Sequence, residues 1–325
     1  MESLLMRVHD ELPILSKDQD TVVTIGVFDG VHLGHQEVIN QVKTIAESSK
    51  SLSSLITFTE HPRAVLSNNS DIKYITSSDR KVSLLKSSGL DLVIPLTFDI
   101  DLSKLRAGEF CQLLKDRLRM GKLVIGHDFV MGFQRERTPD VMRNIGNDLG
   151  FSVQIVDQVS ERDTRISSTA IRKAIISSDV AEAARYLGRL FSLDGTVVAG
   201  DGKGRILGFP TANISINKSR LVPGDGIYAT WAYVDNKKYV SATSIGKKPT
   251  FDGISRLIEV YLLDFDGDIY GDTIEIEFSE HIRGQFKFEN QEQLIAKMNE
   301  DIIKVRDIMS LCAQSVIISY WKSIY

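Results

Sequence analysis

The chain has 325 residues, which is enough for two domains that each bury a core of their own. Its composition is 42% hydrophobic and 25% charged, as in an ordinary globular protein, and its formal net charge of -4 argues against a nucleic-acid binder, which usually carries a basic surplus. No segment resembles a signal peptide or reaches the roughly 20 apolar residues of a membrane span, so we expect no membrane partner.

Residues 20–160 alternate between strand-like and helix-like patterns. Apolar runs predict strands at 22–27, 54–58, 92–96, 122–125 and 153–156. Amphipathic stretches predict helices at 36–47, 79–86, 108–119 and 139–149. Repeated β–α units favour an open, mostly parallel sheet with helices on both faces, and ligands bind such sheets beyond the carboxyl ends of the strands.

The most informative segment is residues 24–36, Thr-Ile-Gly-Val-Phe-Asp-Gly-Val-His-Leu-Gly-His-Gln. A strand runs into a glycine-bounded turn, His32 and His35 follow, and a helix is predicted to begin at about Gln36. Backbone N–H groups and the positive end of the helix dipole make such a place an anion site. Two imidazoles beside it favour stabilisation of a triphosphate under attack, although histidines at a helix start also serve as caps or surface groups.

Three other segments are expected at the same edge of the sheet: Asp29 in the same turn, Gly126-His127-Asp128-Phe129 after a later strand, and Ile166 to Arg172 at another helix start. Hydroxyls, backbone N–H groups and a guanidinium in the last segment suit phosphate oxygens. The set suits nucleotidyl transfer, in which a phosphate attacks the α-phosphorus of ATP and pyrophosphate leaves. Plain capping by the Ser-Ser-Thr run and a turn role for Asp29 remain alternatives, and His61 has no assigned role.

A helical pattern over 167–187 gives way after Gly188 to short strands with Gly, Asp and Asn turns, which places a domain boundary near 185–190. Many short strands joined by turns predict a compact antiparallel barrel. The predicted strands are 195–198, 226–234, 239–244, 258–263 and 273–278. Residues 290–309 return to a helical period.

The second half contains Gly-Asp-Gly-Lys-Gly-Arg from Gly200 to Arg205, followed by Phe209-Pro-Thr-Ala-Asn213. Dense glycines let a backbone approach phosphate closely, although a solvated turn is the common alternative. The Thr211 hydroxyl and the Asn213 amide are oxygen ligands that Mg²⁺ accepts, or else parts of a strand-entry turn. Glu259 lies in an apolar strand, where it points to solvent or accepts a proton from a hydroxyl nucleophile.

The motifs of the first half resemble those of the adenylyltransferase half of bacterial bifunctional riboflavin kinase/FAD synthetases, nucleotidyltransferases marked by His-x-Gly-His. These motifs are residues 26–36, 60–63, 126–132 and 166–172. The resemblance implies a Rossmann-like α/β domain with a mostly parallel sheet that joins FMN and ATP into FAD and pyrophosphate. It implies that His32 and His35 contact ATP phosphates as catalytic residues and that Asp128 lies near substrate or metal. The ATP and phosphate contacts predicted in this half are Gly26, Phe28, Asp29, Gly30, Ser167, Ser168, Thr169 and Arg172.

The segments 200–213, 244–251 and 258–271 are similar to the riboflavin kinase module of the same family. The resemblance implies a six-stranded antiparallel β-barrel with a following helix, in which ATP phosphorylates the ribityl hydroxyl of riboflavin. Thr211 and Asn213 would then bind Mg²⁺, and Glu259 would be the catalytic base. The predicted nucleotide contacts of this module are Gly202, Lys203, Gly204, Arg205 and Pro210.

We therefore predict an FMN adenylyltransferase domain at 1–186, a riboflavin kinase domain at 187–310 and a tail of unknown role at 311–325. The small-molecule partners are riboflavin, FMN, FAD and ATP, with Mg²⁺ as cofactor. The alternatives are a paralogue with only adenylyltransferase activity and a flavin-binding regulatory protein.

Two positions depart from the family pattern: Arg137 stands where a glycine is usual, and Gln285 stands where a carboxylate is usual. The missing carboxylate predicts a weakened ion pair or substrate contact. Cys111 and Cys312 match no metal or redox spacing, which favours unpaired thiols in the cytoplasm. The sequence leaves the oligomeric state open.

Overall fold

The structure is a computed structural model that describes residues 7–8, 10–66, 72–127, 129, 131, 139–161, 164–200, 202–250 and 253–322. Side chains are described throughout these ranges except at 139, 203, 248–250, 253–255 and 313–322. The chain divides into two compact units, Met1–Ser168 and Thr169–Tyr325.

The first unit alternates strands and helices as its sequence predicts. Its elements are β1 (Thr21–Gly26), α1 (Leu33–Ser49), β2 (Leu52–Phe58), α2 (Pro62–Leu66), α3 (Ser78–Lys86), β3 (Leu92–Leu96), α4 (Ala107–Leu118), β4 (Met120–Gly126), α5 (Pro139–Leu149), β5 (Ser152–Val156), and the short pair β6 (Ser160–Glu161) and β7 (Thr164–Arg165). Strands β1 to β5 form one parallel sheet in the order β3-β2-β1-β4-β5. The prediction of a parallel α/β sheet is confirmed.

Both faces of this sheet are buried because successive strand residues point to opposite sides. In β1, Val23 and Ile25 pack with Phe110 and Leu114 of α4 in one core. Val22 packs on the other face in a core that includes Val38, Ile39 and Val42 of α1 and Leu85 of α3. The sheet is therefore a rigid middle layer, and its carboxyl edge is a fixed platform for the loops that follow each strand.

The strand order fixes where a ligand crevice can form. The chain runs outward from β1 to β3 and then returns to the other side of β1 to begin β4, so the order reverses between two neighbouring strands. Loops that leave the carboxyl ends of such a pair diverge and leave a crevice between them. The histidine segment follows β1 at this reversal, and His127 follows β4.

The second unit contains the predicted barrel. Its elements are α6 (Ser168–Ile176, whose first residue closes the first unit), α7 (Val180–Leu187), β8 (Phe191–Val198), α8 (Lys203–Ile206), β9 (Ala212–Ser215), β10 (Gly226–Val234), β11 (Lys237–Thr250), β12 (Gly253–Leu262), β13 (Thr273–Arg283) and α9 (Gln291–Lys322). The six strands close in the order β10-β11-β12-β9-β8-β13, with antiparallel pairing throughout. The prediction of a six-stranded antiparallel barrel followed by a helix is confirmed.

Alternating burial along the strands separates the inside of the barrel from the outside. On β12, Ile258 and Val260 are buried in the interior while Glu259 between them is only half-buried. Part of the outer face is covered by α9, whose Val305 and Met309 pack against Ala229 of β10. The barrel interior is thus a packed core, and a site on this unit has to lie on its outer face.

Three sequence predictions of local structure were wrong. Helix α1 begins at Leu33 rather than near Gln36, because a histidine, which is not a common N-cap residue, caps it. Strand β9 was missed because four residues with few apolar side chains carry little signal. The C-terminal helix, expected over residues 290–309, continues as α9 through residue 322. Within the described residues, no helix is both long and apolar enough to span a bilayer.

Cys111 provides a test of the first core. It is fully buried against the sheet, and burial raises the pKa of its thiol to about 12. We expect iodoacetamide to leave Cys111 unmodified in the native protein at pH 8 and to label it in urea, as measured by peptide mass spectrometry. Labelling of native Cys111 as fast as in urea would contradict this packing.

Candidate active site

The two histidines of the first unit form one compact pair. His32 is the N-cap residue of α1, and its Nδ1 accepts a hydrogen bond of 3.3 Å from the backbone N–H of His35. The two rings are stacked, with centroids 3.6 Å apart and planes inclined by 18°. His32 is buried and His35 is half-buried. A single helix start therefore brings two imidazoles together at the carboxyl edge of the sheet.

This capping bond also decides the tautomer of His32. Because Nδ1 accepts the hydrogen bond, the neutral ring carries its proton on Nε2, which makes Nε2 a donor. Donors and the positive end of α1 lie at the same place, which is the arrangement that stabilises negative charge on phosphate oxygens. The alternatives of capping and catalysis are not exclusive here, since the capping atom and the donor atom are different nitrogens.

The glycine between the histidines is required by close contact. A Cβ at Gly34 would lie 3.2 Å from two atoms of the His32 ring and 3.7 Å from the carbonyl oxygen of Ile166. Any side chain there would push the ring away from its capping position. The His-x-Gly-His spacing thus combines two functional rings with one residue that gives them room.

The turn that precedes the pair is strained. Phe28 has φ 51° and Val31 has φ 41°, values that favour glycine, and only Gly30 at φ 87° adopts this region without cost. Each non-glycine residue held in this way costs on the order of 1–3 kcal/mol. The Phe28 ring meets the His35 ring edge-on at 5.0 Å. Strain of this kind persists only where surrounding contacts impose it.

Asp29 supplies several of those contacts. Its buried carboxylate accepts hydrogen bonds from the backbone N–H groups of Ile75 and Thr76 at 3.1–3.2 Å. The N–H of Gly30 donates to the Thr76 hydroxyl at 3.1 Å, and the Ser168 hydroxyl donates to the Asp29 carbonyl at 3.0 Å. The turn is therefore fastened to two distant segments, and Asp29 has a structural role in it.

The other predicted residues of this half are only partly assembled in the described structure. Ser168 reaches the turn as stated, and Ser167 is half-buried beside it. Thr169 and Arg172 belong to the second unit. Asp128 and the unusual Arg137 lie outside the described residues. The His61 ring accepts a hydrogen bond from the backbone N–H of Arg63, and its centroid lies 6.5 Å from that of the Tyr74 ring.

The second candidate site lies on the outer face of the barrel around Glu259. In register, Glu259 pairs with Asn213 of β9 on one side and with Ser244 of β11 on the other. Side chains of residues paired in this way lie on the same face and about 5 Å apart. The three polar side chains thus form a row across three strands, with Glu259 in the middle.

The glycine-rich segment lies against Asn213, at one end of this row, and against Thr211. A Cβ at Gly200 would overlap the Asn213 amide at 1.9 Å, and a Cβ at Gly204 would lie 3.0 Å from the Thr211 hydroxyl oxygen and 2.4 Å from the carbonyl oxygen of Phe209. These glycines are needed because the backbone lies against the predicted ligand residues. Gly202, Arg205 and Pro210 are exposed, and the side chain of Lys203 lies outside the described part of the chain.

Gln285 has a specific role beside this row. Its amide donates to the Ser244 hydroxyl at 3.2 Å and to the Ile245 carbonyl at 3.0 Å. The segment that carries it is anchored by Arg283, which forms a buried bidentate ion pair with Asp301 of α9 at 2.6–3.0 Å. A carboxylate at position 285 could not donate these hydrogen bonds. The glutamine that replaces the usual carboxylate therefore finds two hydrogen-bond acceptors in this chain.

Comparison with known proteins places both halves of the chain in one family. The FAD synthetase family matches residues 14–170 and the riboflavin kinase family matches residues 187–309. A Listeria monocytogenes relative named bifunctional riboflavin kinase/FMN adenylyltransferase is 38% identical over 87% of this chain and 91% of its own length. The chain belongs to the bifunctional riboflavin kinase/FMN adenylyltransferase family.

Other relatives agree over similar lengths. Proteins of the same name from Bacillus subtilis and Escherichia coli are 34% and 32% identical, over 90% and 89% of this chain and 94% and 93% of theirs. A solved structure described as a macrolide-efflux protein from Streptococcus pneumoniae has a TM-score of 0.84 at 31% identity, over 92% of this chain and 96% of that one. The predicted family is confirmed, and the two domains favour the bifunctional enzyme over a single-activity paralogue or a regulatory protein.

Sequence reasoning missed three residues near these sites: Lys81, Ser244 and the donor role of Gln285. Lys81 is buried, and its position four residues before the buried Leu85 puts it on the apolar stripe of α3. This spacing was the signal in the sequence that Lys81 is buried. Ser244 and Gln285 carry no local signal, because their relation to Glu259 arises only from strand register.

Gly34→Ala tests the geometry of the histidine pair. We expect the adenylyltransferase rate to fall by about tenfold, because the added Cβ displaces the His32 ring, while the melting temperature stays near that of the wild type. Gly108 is the matched control, since it also occupies the second position of a helix and a Cβ added there would meet nothing within 4 Å. Gly108→Ala should leave both activities unchanged; equal rates for the two variants would contradict the proposed crowding.

Gln285→Glu tests the amide contacts. A carboxylate facing the Ile245 carbonyl loses a hydrogen bond and adds repulsion, so we expect riboflavin kinase activity to fall by about fivefold or more. Gln285→Ala, which adds no charge, should lose less riboflavin kinase activity than the Glu variant. The adenylyltransferase activity of the same molecule, measured by chromatography of the flavins, is the internal control. Kinase activity of the Glu variant at or above the wild-type level would show that the donor is unimportant.

Proposed function

We propose that the chain converts riboflavin to FMN in its second unit and FMN to FAD in its first, using ATP in both steps. The observation that carries this proposal is the stacked His32–His35 pair at a helix N-terminus on the carboxyl edge of the sheet, in a chain that matches both family domains. Neither step requires a covalent enzyme intermediate, so positioning and charge stabilisation are the work of the protein.

In the first unit, a phosphate oxygen of FMN attacks the α-phosphorus of ATP. The bond from that phosphorus to the bridging oxygen breaks, and pyrophosphate leaves. The Nε2–H of His32 and the ring of His35 stabilise the charge on the phosphate chain, with the N-terminus of α1 adding its dipole. Ser167 and Ser168 are proposed to hold the leaving phosphates, Gly26, Phe28, Asp29 and Gly30 to form the turn around ATP, and Asp128 to lie near substrate or metal.

In the second unit, the ribityl hydroxyl oxygen of riboflavin attacks the γ-phosphorus of ATP, and ADP leaves. Glu259 takes the hydroxyl proton as general base. Its place in the middle of the polar row, paired with Asn213, against which the glycine-rich segment lies, supports this role. Gly202, Lys203, Gly204, Arg205 and Pro210 are proposed to contact the nucleotide.

Thr211 and Asn213, beside the glycine-rich segment, also suit Mg²⁺. Within the described ranges no group of three or more His, Cys, Asp or Glu side chains is placed to hold a metal ion. The Thr211 hydroxyl and the Asn213 amide oxygen are neutral hard donors covered by backbone, and a hard cation accepts such donors together with substrate phosphates. We propose that these two residues hold Mg²⁺, which would supply charge neutralisation on the phosphates when bound.

We retain the domain limits 1–186 and 187–310 as proposals. The first family match ends at residue 170 and the second begins at 187, whereas the compact units meet at 168–169. A cytoplasmic location and the absence of nucleic-acid partners also remain predictions.

Reciprocal substitutions test the assignment of one activity to each unit. His32→Ala should abolish FAD formation and leave FMN formation intact, because it removes the phosphate donor of the first site alone. Glu259→Gln should abolish FMN formation from riboflavin and leave FAD formation from supplied FMN intact. Purified variants are incubated with ATP, Mg²⁺ and either flavin, and products are resolved by chromatography.

The wild-type chain must yield FMN and ADP in one assay and FAD and pyrophosphate in the other. Failure of the wild type to form FAD from FMN would remove the first activity. Loss of both activities in either single variant would contradict the assignment of separate sites.

A further inference from the structure

Lys81 is buried in α3, where its side chain has no role in the chemistry described above. The residue is 5% exposed, and its ammonium donates to the carbonyl of Phe58, the last residue of β2, at 2.6 Å. Lysine is rarely buried to this degree unless a partner compensates the charge. A lysine at the carboxyl edge of a ligand-binding sheet therefore needs an explanation.

The compensating charge is Asp29. Burial lowers the pKa of Lys81, and the negative charge of the Asp29 carboxylate opposes that shift. Asp29 is itself buried and accepts the backbone N–H groups of Ile75 and Thr76. Ile75 and Thr76 directly precede Ser77, the N-cap residue of α3, so the bond from Lys81 to the Phe58 carbonyl fastens the start of this helix, next to the residues that hold Asp29, to the end of β2.

A continuous set of contacts joins this charge pair to the histidines. Asp29 fixes Thr76, whose hydroxyl accepts the N–H of Gly30 in the strained turn. The next residue, Val31, has φ 41° and accepts a hydrogen bond through its carbonyl from the Gln36 side chain of α1 at 3.0 Å. His32 follows directly as the N-cap. Loss of the bond from Lys81 to Phe58 would therefore act, through the start of α3, on the backbone that sets the ring positions.

We propose that Lys81 is a positioning residue of the adenylyl-transfer site, whose buried ammonium, bonded to the Phe58 carbonyl, fixes the start of α3 and through it holds turn 28–31 in the shape that stacks His32 on His35. Its activity readout rests on the function proposed above. The competing explanation is that Lys81 contributes only to the stability of the core, in which case its loss would lower the melting temperature without moving the rings.

Lys81→Met is the main variant, because methionine keeps most of the length of the side chain and removes the charge and the donor. Lys86→Met is the matched control, since Lys86 lies on the same helix and is exposed. For Lys81→Met we expect the turnover number for FAD formation to fall by about tenfold or more, with a smaller change in KM for ATP. Riboflavin kinase activity of the same molecule should stay within about twofold of the wild type.

The histidine resonances give a readout that does not depend on turnover. Because the rings are stacked at 3.6 Å, each lies in the ring current of the other, and their Cε1–H signals should be displaced from ordinary histidine positions. The chain has 6 histidines, so the two signals can be assigned with His32→Gln and His35→Gln. In Lys81→Met they should move toward ordinary positions, and in Lys86→Met they should not.

A second variant keeps the proposal testable if Lys81→Met does not fold. Asp29→Asn/Lys81→Met removes both buried charges while the Asn oxygen still accepts a backbone hydrogen bond, so this double variant leaves no buried charge without its counter-charge and should fold. Its FAD turnover should still fall and its histidine signals should still move, because the bond to the Phe58 carbonyl is lost. Histidine signals and FAD turnover at wild-type levels in whichever variant folds would overturn the proposal. If the wild type forms no FAD, the proposed function fails, and the histidine signals alone decide the role of Lys81.

Discussion

The hydrogen bond from the backbone N–H of His35 to Nδ1 of His32 is the contact on which the first site depends. Because His32 is the N-cap residue of α1, the bond that begins the helix also fixes the orientation of the imidazole ring. The same bond assigns the ring proton to Nε2. One interaction therefore sets both the local backbone geometry and which ring nitrogen of His32 is the hydrogen-bond donor.

Around that contact, the protein stabilises a turn that is unfavourable by itself. Phe28 and Val31 occupy backbone conformations that side chains disfavour, and buried polar contacts through Asp29 and Thr76 impose them. Lys81 fastens the first turn of α3, which directly follows these contacts, to the last carbonyl of β2. A site built in this way is pre-organised before substrate arrives, because its strain is offset by folding rather than by binding.

The barrel positions its candidate site residues in a different way. Its interior is packed, so the polar row of Asn213, Glu259 and Ser244 lies outside it, in positions fixed by strand register. Glycines at 200 and 204 let the covering backbone approach this row, and Gln285 fastens the segment after β13 beside it. The strands fix the positions of the polar side chains, and the glycines let the neighbouring backbone come close to them. The two requirements fall on different residues.

The sequence by itself determined the two-module order, the parallel sheet followed by a barrel, the histidine pair and the residues Thr211, Asn213 and Glu259 as candidates. These follow from periodicity and from motifs in which functional residues are close along the chain. It did not determine that His32 caps α1, that Lys81 donates to the Phe58 carbonyl, or that Gln285 donates to Ile245. The apolar stripe of α3 favours a buried Lys81, but the partner of Lys81 is 23 residues away along the chain and the partner of Gln285 is 40 residues away. Only the tertiary structure decides such contacts, because packing and strand register choose the partner of each polar group.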